Sequence, residues 1–575
     1  MKIHNSLFIL SISILALSCK NMAEIKEIEG SQLSDAIRLN QVGYFPDLEK
    51  HFTVADSTAG EFKLVSEKGE VIYRGKLEDF GTWEPSGEYL KTGDFSDLDI
   101  PGKYFINVPG VGNSYPFMIS AAIYRDVSVA SLETFYFMRV SMDMEEKYLG
   151  KFTRPMGHPD DTVYYHESTG HKSGFRASPG GWYDAGDYGK YVVNASISTG
   201  TMLALHEIYP DAFPDGSLDI PENENGVNDL LDELRYEFDW ILTMQDYDGG
   251  VFHKLTPMVH DGVTMPHETH SKRFFIGKST AASLDFAAML AQASRLYHGV
   301  DPEFAETCLE AAIKAYKWAY EHPDQYFFNP PGNNTGGYGD RILDEEFFWA
   351  NAELYCTTGE QSYYDKIAGK LGKIRFRLEE SWRNYVDNIG YYSLYMSDKL
   401  DENDRQVLEK GILVLADSLA LESEKNPYGI PFSRFVWGSN SDVLNTAIIE
   451  MFAHRISGKK FYMETAARIT DYIFGCNATS YSFVSGFGSK YSRNFHHRLL
   501  MADENEDTFP GFIAGGPNGF MHDRRNVEQA GVSYPSTFPA KVYIDHEASY
   551  ASNEVCINWN APLVFVLTYL DLAEF

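Results

Sequence analysis

The chain has 575 residues and a formal charge of −33, from 82 acidic and 49 basic side chains. That charge repels phosphate backbones and anionic lipid, which excludes nucleic acid as a partner class. An apolar share of 44%, with 38 Phe, 37 Tyr and 8 Trp, excludes wholesale disorder, and the length allows roughly two to four domains.

At the N-terminus, Lys2 and His4 precede an apolar run from Leu7 to Leu17, the layout of a secretory signal too short to span a bilayer. Leu15-Ala16-Leu17-Ser18-Cys19 resembles a bacterial lipobox. It predicts lipidation of Cys19 and a lipid-anchored protein of the cell envelope, at the outer membrane or cell surface. An ordinary signal peptide with an incidental Cys is the alternative. Residues 1–19 are read as signal and 20–35 as a polar tether. Cys308, Cys356, Cys476 and Cys556 lie far apart and lack Cys-x-x-Cys spacing, so they read as free buried thiols rather than zinc or redox motifs.

Residues 36–120 have a β texture. Short alternating runs such as Ile37–Phe45, Glu61–Ser66 and Lys103–Val108 are separated by Lys68-Gly69, Ser86-Gly87 and Pro101-Gly102. Strands with such turn spacing predict a small immunoglobulin-like β-sandwich. Residues 121–575 are helical. Val227, Leu230, Leu231, Leu234, Phe238, Ile241 and Leu242 form one apolar stripe. Similar stripes recur around 123–141, 191–209, 279–298, 302–321, 345–358, 445–457, 460–475 and 554–573, with weaker ones between 361 and 421. Long Gly-, Pro- and aromatic-rich loops at 152–183, 323–340 and 477–553 separate them, which predicts an α/α barrel with one loop-rich functional face.

Three local patterns can carry chemistry. In Gly181-Trp182-Tyr183-Asp184-Ala185-Gly186-Asp187, two carboxylates three apart precede a helix, with small residues between them that admit water. Such a pair suits water activation, one accepting the proton and one orienting the water; helix capping is the alternative. In Asn553-Glu554-Val555-Cys556-Ile557-Asn558-Trp559, a Glu near a Trp in an apolar setting can stay protonated and act as an acid, or sit exposed in a helix's first turn. His496-His497-Arg498 lies in a Gly- and Asn-rich loop and can donate to sugar hydroxyls; with His522 as the nearest further ligand it makes a poor zinc set.

In this order the motifs resemble those of glycoside hydrolase family 9, the inverting endoglucanases. The resemblance runs through Asp184-Ala185-Gly186-Asp187, Phe487-Gly488-Ser489 to His496-His497-Arg498, Gly515-Gly516-Pro517-Asn518 and Asn553-Glu554-Val555. Ile37-Arg38-Leu39-Asn40-Gln41-Val42-Gly43-Tyr44 is similar to the start of the immunoglobulin-like module that precedes many members. The resemblance implies a multidomain chain, with an all-β immunoglobulin-like sandwich followed by an all-α (α/α)6 barrel. It implies Asp187 as general base, Asp184 as water holder, Glu554 as general acid, and His496, Arg498 and Trp559 as substrate contacts. Inversion then requires roughly 6.5–9.5 Å between the two carboxyl groups. Trp182, Tyr183, Tyr188, Trp437 and Tyr491 are candidate sugar-stacking rings.

No cofactor is required on this reading. The two-Cys, two-His zinc site of some relatives has no Cys here around Met138–His158, so zinc is not expected. Relatives also hold calcium near an acidic helix start. Glu345, Glu346 and Asp340 could supply it, or could simply form a solvated acidic helix start. The expected partner is a β-glucan polysaccharide or oligosaccharide, soluble or decorated, such as xyloglucan. An exo-acting β-glucosidase or glucosaminidase on the same fold is the rival enzyme reading; a sugar-binding protein that has lost catalysis is the rival from another class.

Overall fold

The computed structural model describes residues 32–379 and 385–574. Cys19, the signal and most of the tether lie outside the described residues.

The N-terminal unit is a β-sandwich of nine strands: β1 (Ile37–Arg38), β2 (Gly43–Tyr44), β3 (His51–Val54), β4 (Glu61–Ser66), β5 (Val71–Trp83), β6 (Glu88–Asp94), β7 (Gly102–Val108), β8 (Gly112–Asn113) and β9 (Phe117–Ile119). Their order is β1-β3-β6-β5-β4-β7-β9-β2, with β8 beside β7. The long β5 joins the two layers. Its first half pairs with β4, from Lys76 opposite Glu61, and its second half pairs with β6, to Trp83 opposite Glu88. Alternation sends Phe52, Phe62, Leu64, Phe95, Ile106 and Phe117 inward. Phe52 and Phe62 meet edge to face with centroids 4.8 Å apart.

The rest is mainly helical. Its longer helices are α1 (Arg125–Met138), α2 (Val192–Ile208), α3 (Asp229–Thr243), α4 (Thr280–Tyr297), α5 (Pro302–Glu321), α6 (Asp344–Thr358), α7 (Asp387–Met396), α8 (Glu402–Glu424), α9 (Ser439–Ser457), α10 (Lys460–Ile473) and α11 (Ile557–Leu572). Two classes emerge from their burial. Helices α2, α4, α9 and α11 are buried over nearly all their length, and small residues such as Ala281, Ala282, Ala287 and Ala288 let neighbours approach. Helices α5, α8 and α10 bury one stripe and turn charges to solvent, whereas α3 buries Asp229, Asp232, Glu233 and Glu237 along with its apolar stripe. The helical unit thus has an inner and an outer layer, with α4 packed on α5 and α11 packed on α1, α2 and α9. Starts are marked by Asn228, Ser279 and Asp301, each accepting a hydrogen bond from a first-turn amide.

Two elements depart from the sequence expectation. Helix α8, the longest, falls in the stretch expected to be weakly helical. It buries only Leu408, Ile412, Ala416, Ala420 and Ser423, a stripe too narrow to stand out. The loop expected at 152–183, together with residues 190–191 and 252–278, contains a five-stranded sheet. It is built from β10 (Val163–Tyr165), β11 (Phe175–Arg176), β12 (Lys190–Tyr191), β13 (Phe252–Thr256) and β14 (Phe274–Lys278), in the order β11-β10-β14-β13-β12. This sheet positions the site. Strand β12 follows directly on the Asp184–Gly189 turn and pairs with β13, Tyr191 lying opposite Lys254.

Candidate active site

Three chain segments are stitched together by backbone hydrogen bonds at the mouth of the helical unit. Asp184 N–H donates to Gly189 O, closing the first turn, and Ile557 N–H donates to Asp184 O at 2.9 Å. Arg498 N–H donates to Gly186 O at 3.0 Å, and His496 N–H donates to Asn553 O at 2.9 Å. His496 and Glu554 form an isolated bridge, as do Ala185 and Cys556. Gly186 permits this junction, since a Cβ there would lie 2.2 Å from His496 O and 2.9 Å from Glu554 Oε1.

The junction floors a cleft of about 600 Å³ lined by Asp187, His260, Tyr338, Trp437, His496, Arg498, Tyr550, Glu554 and Trp559. Neither aspartate caps a helix, because α2 begins after Tyr191 without a side-chain cap. Asp184 is buried, and its two oxygens accept from Asn194 Nδ2 and Tyr338 OH, each at 2.5 Å. Asp187 Oδ2 accepts from Tyr191 OH at 2.9 Å and Gly189 N–H at 3.2 Å. His260 Nδ1 stands 3.2 Å from the same oxygen. Glu554 is half-buried two residues before the N-cap of α11, not in its first turn.

The three carboxyls are driven apart electrostatically. Burial, reinforced by the charge of Asp187, pushes Asp184 up to about 8. Burial also acts on Asp187, but His260, Arg498 and Tyr191 outweigh it and hold this carboxyl down at about 2. Burial first, then Asp187, raises Glu554 well above the ordinary carboxylate range. Asp187 is therefore the carboxyl that ionises first, and Glu554 holds its proton to higher pH. Burial lowers His496, so its ring is neutral; Nδ1–H donates to Glu547 O at 2.7 Å, leaving Nε2 as an acceptor toward the cleft. Arg498 Nε donates to Asp261 O and Nη1 to Gly186 O, both at 2.9 Å.

Some expected contacts are corrected. Trp182 and Tyr183 do not face the cleft. Trp182 is buried against Phe135, and its Nε1–H donates to Glu233 at 2.8 Å. Glu233 is held in turn by Arg139 at 3.0 Å. The Tyr183 hydroxyl meets His158 Nδ1 at 2.8 Å. Tyr188 is also buried, bonded to Thr264 O. The aromatic rings next to Asp184 and Asp187 brace the turn from behind. Trp437 and Trp559 do line the cleft.

Two of the residues expected to hold calcium have other partners. Glu345 is paired with Arg375 at 2.5 Å, and Asp340 Oδ1 accepts from the N–H groups of Arg341 and Ile342. Glu346 is buried facing Asp285. Among the described residues no group of three or more His, Cys, Asp or Glu side chains is arranged to hold a metal ion.

The sequence reading did not single out His260, Tyr338 or Tyr550. For Tyr338 a signal existed in the preceding Gly336-Gly337, which lets that loop approach the carboxylates; a lone loop His such as His260 offers none.

The chain and its architecture match known proteins. The family model for glycosyl hydrolase family 9 matches residues 124–567, and that for the cellulase N-terminal ig-like domain matches residues 32–113. The chain belongs to glycosyl hydrolase family 9. It is a glycoside hydrolase of cellulase type. A xyloglucan-specific endo-β-1,4-glucanase of Bacteroides ovatus is 38% identical over 563 residues, covering 94% of each chain. Endoglucanase D of Acetivibrio thermocellus is 32% identical over 94% of this chain and 84% of its own length. Among solved structures, a Bacteroides ovatus family 9 protein superposes with a TM-score of 0.85 at 37% identity, over 94% of this chain and 99% of that one. A thermostable endoglucanase of Alicyclobacillus acidocaldarius gives 0.84 at 31% identity, over 94% and 100%.

Proposed function

We propose that this family 9 hydrolase is an inverting endo-β-1,4-glucanase whose substrate is a soluble, decorated β-glucan of the xyloglucan class. The observation that carries the reading is the opposed electrostatics of Asp187 and Glu554 across one open cleft. The Bacteroides ovatus relative points to the same substrate class.

In the proposed reaction, Glu554 gives its proton to the glycosidic oxygen as the bond from that oxygen to the anomeric carbon breaks. Water attacks that carbon from the opposite face and loses its proton to Asp187. Asp184, neutral and fixed by Asn194 and Tyr338, orients the water without placing a second negative charge beside the base. The Nε2 of His496 and the Nη2 of Arg498 face sugar hydroxyls, and Trp559 and Trp437 supply apolar walls for pyranose faces.

The same reading makes the two helical layers an (α/α)6 barrel and assigns Cys19 to a lipid anchor at the cell envelope. That location suits soluble matrix glucans better than crystalline cellulose. The deciding experiment is a panel of xyloglucan, mixed-linkage glucan and carboxymethyl cellulose, with NMR of the first-formed anomer. Rapid loss of polymer length on xyloglucan with an α-anomer product is expected. A β-anomer overturns the inverting mechanism, and release of monosaccharide alone overturns endo action.

A further inference from the structure

The segment 257–273 connects β13 to β14 beside the base. Val259 and Val263 on it are exposed, whereas His260 lines the cleft with its side chain 31% exposed. The segment is tied to the rest of the chain at several points: Arg498 Nε donates to Asp261 O at 2.9 Å, Tyr188 OH donates to Thr264 O at 2.8 Å, and Arg273 pairs with Asp160 at 2.7 Å. Ser271 donates to the Asp261 carboxylate within the segment. The arginine that reaches the Asp184–Gly189 turn thus also fixes the backbone next to His260.

The consequence falls on one atom. Asp187 Oδ2 faces three donors: Tyr191 OH, Gly189 N–H and His260 Nδ1. Among the described residues, no hydrogen-bond donor reaches Oδ1. Gly189 belongs to the same turn as Asp187 and Tyr191 follows it on β12, whereas His260 reaches in from the separate segment between β13 and β14. A carboxylate held this way cannot exchange its oxygens by rotation, and the lone pairs left for water are those of Oδ1.

We propose that His260 is a positioning residue for the base, clamping Asp187 Oδ2 so that Oδ1 alone takes the proton of the attacking water. The inference rests on Asp187 being the base. Besides His260, the groups facing Asp187 are Arg498, Lys254 and Tyr191, with the carboxyls of Asp184 and Glu554. His260 itself faces His496 as well. His260 is the foremost of the groups holding Asp187 low against burial, so its removal raises that carboxyl.

The test compares H260A, H260N and D187N on one soluble β-glucan oligosaccharide. Asn is the conservative variant because its Nδ2 can donate near the position of His Nδ1. H260A is expected to lower kcat on the order of tenfold to a hundredfold with KM little changed. It should also move the acid limb of the kcat/KM profile upward, and H260N should recover most of kcat. Wild-type kcat and an unmoved acid limb in H260A overturn the proposal, and so does a loss confined to KM. If D187N stays active, the base assignment itself falls; if D187N is inactive and H260A is normal, only the role of His260 falls.

Discussion

Gly186→Ala is the most direct test of how the site is assembled. The added methyl carbon would lie 2.2 Å from His496 O, a backbone atom, and must withdraw by more than 1 Å to reach the 3.4 Å of ordinary contact. Little can yield. His496 N–H is tied to Asn553 O, and Gly186 O already accepts from both Arg498 N–H and Arg498 Nη1. The same carbon would meet Glu554 Oε1 at 2.9 Å, so the displacement is transmitted to the proposed acid. Overpacking of this kind costs about 1–3 kcal/mol of stability. A displacement near 1 Å of a catalytic group costs on the order of a hundredfold in rate. The assay is kcat and KM on a soluble oligosaccharide together with the denaturant midpoint. Gly299→Ala serves as control, since nothing lies within 4 Å of its Cβ; it should change stability by less than about 0.5 kcal/mol. A G186A enzyme with wild-type kcat and midpoint would refute the claim that these segments are locked together.

Three further outcomes are expected. In the pH profile of kcat/KM, the base must be ionised and Asp187 lies at about 2, so the acid limb falls well below the range of an unassisted carboxylate. The acid must be protonated and Glu554 is raised, so activity is lost only as pH climbs through that raised value. An acid limb near pH 4 would contradict these electrostatics. Trp182→Phe removes the indole donor to buried Glu233 and should cost on the order of 1–3 kcal/mol in the unfolding midpoint while leaving KM unchanged. A several-fold rise in KM with no stability loss would make Trp182 a sugar contact after all. Because Arg375 occupies Glu345, a chelator should leave the thermal midpoint of the wild-type protein unchanged, while Arg375→Ala should lower it by uncovering a buried carboxylate.

The helices legible in the sequence are those with broad apolar periodicity. Helix α3 carries one broad apolar stripe of Leu230, Leu231, Leu234, Phe238 and Ile241, and α11 is apolar nearly all round. Helix α8 was obscured because its buried positions recur mostly as single residues four apart, diluted by Glu, Lys and Asp. The five-stranded sheet was invisible for another reason. Its strands are two to five residues long and pair across long separations, as Tyr191 does with Lys254, so no window contains a period. Rings were misassigned by proximity: a Trp beside a carboxylate reads the same whether it faces a sugar or a buried Glu-Arg pair, and Trp182 faces the pair.

Motif order was informative where periodicity was not, and the sandwich shows why. In the segment Ile37–Tyr44, Arg38, Asn40 and Gln41 occupy what alternation marks as a strand, yet all three are buried. A polar group buried without a partner costs free energy, so each must have one. Each has a partner in the helical unit: Arg38, paired with Glu88 on β6, also bonds Tyr428, Asn40 Nδ2 donates to Asp471 at 2.8 Å, and Gln41 Nε2 donates to Ser480 O at 2.9 Å. Gln41 Oε1 accepts from the N–H groups of Ser489 and Lys490 at 3.0 and 2.9 Å. That loop continues to His496 and Arg498, so a side chain of the sandwich braces the segment carrying two of the proposed substrate contacts. The short strings at 37–44, 487–498 and 553–559 are therefore parts of one contact network, and the helical stripes between them are only its scaffold.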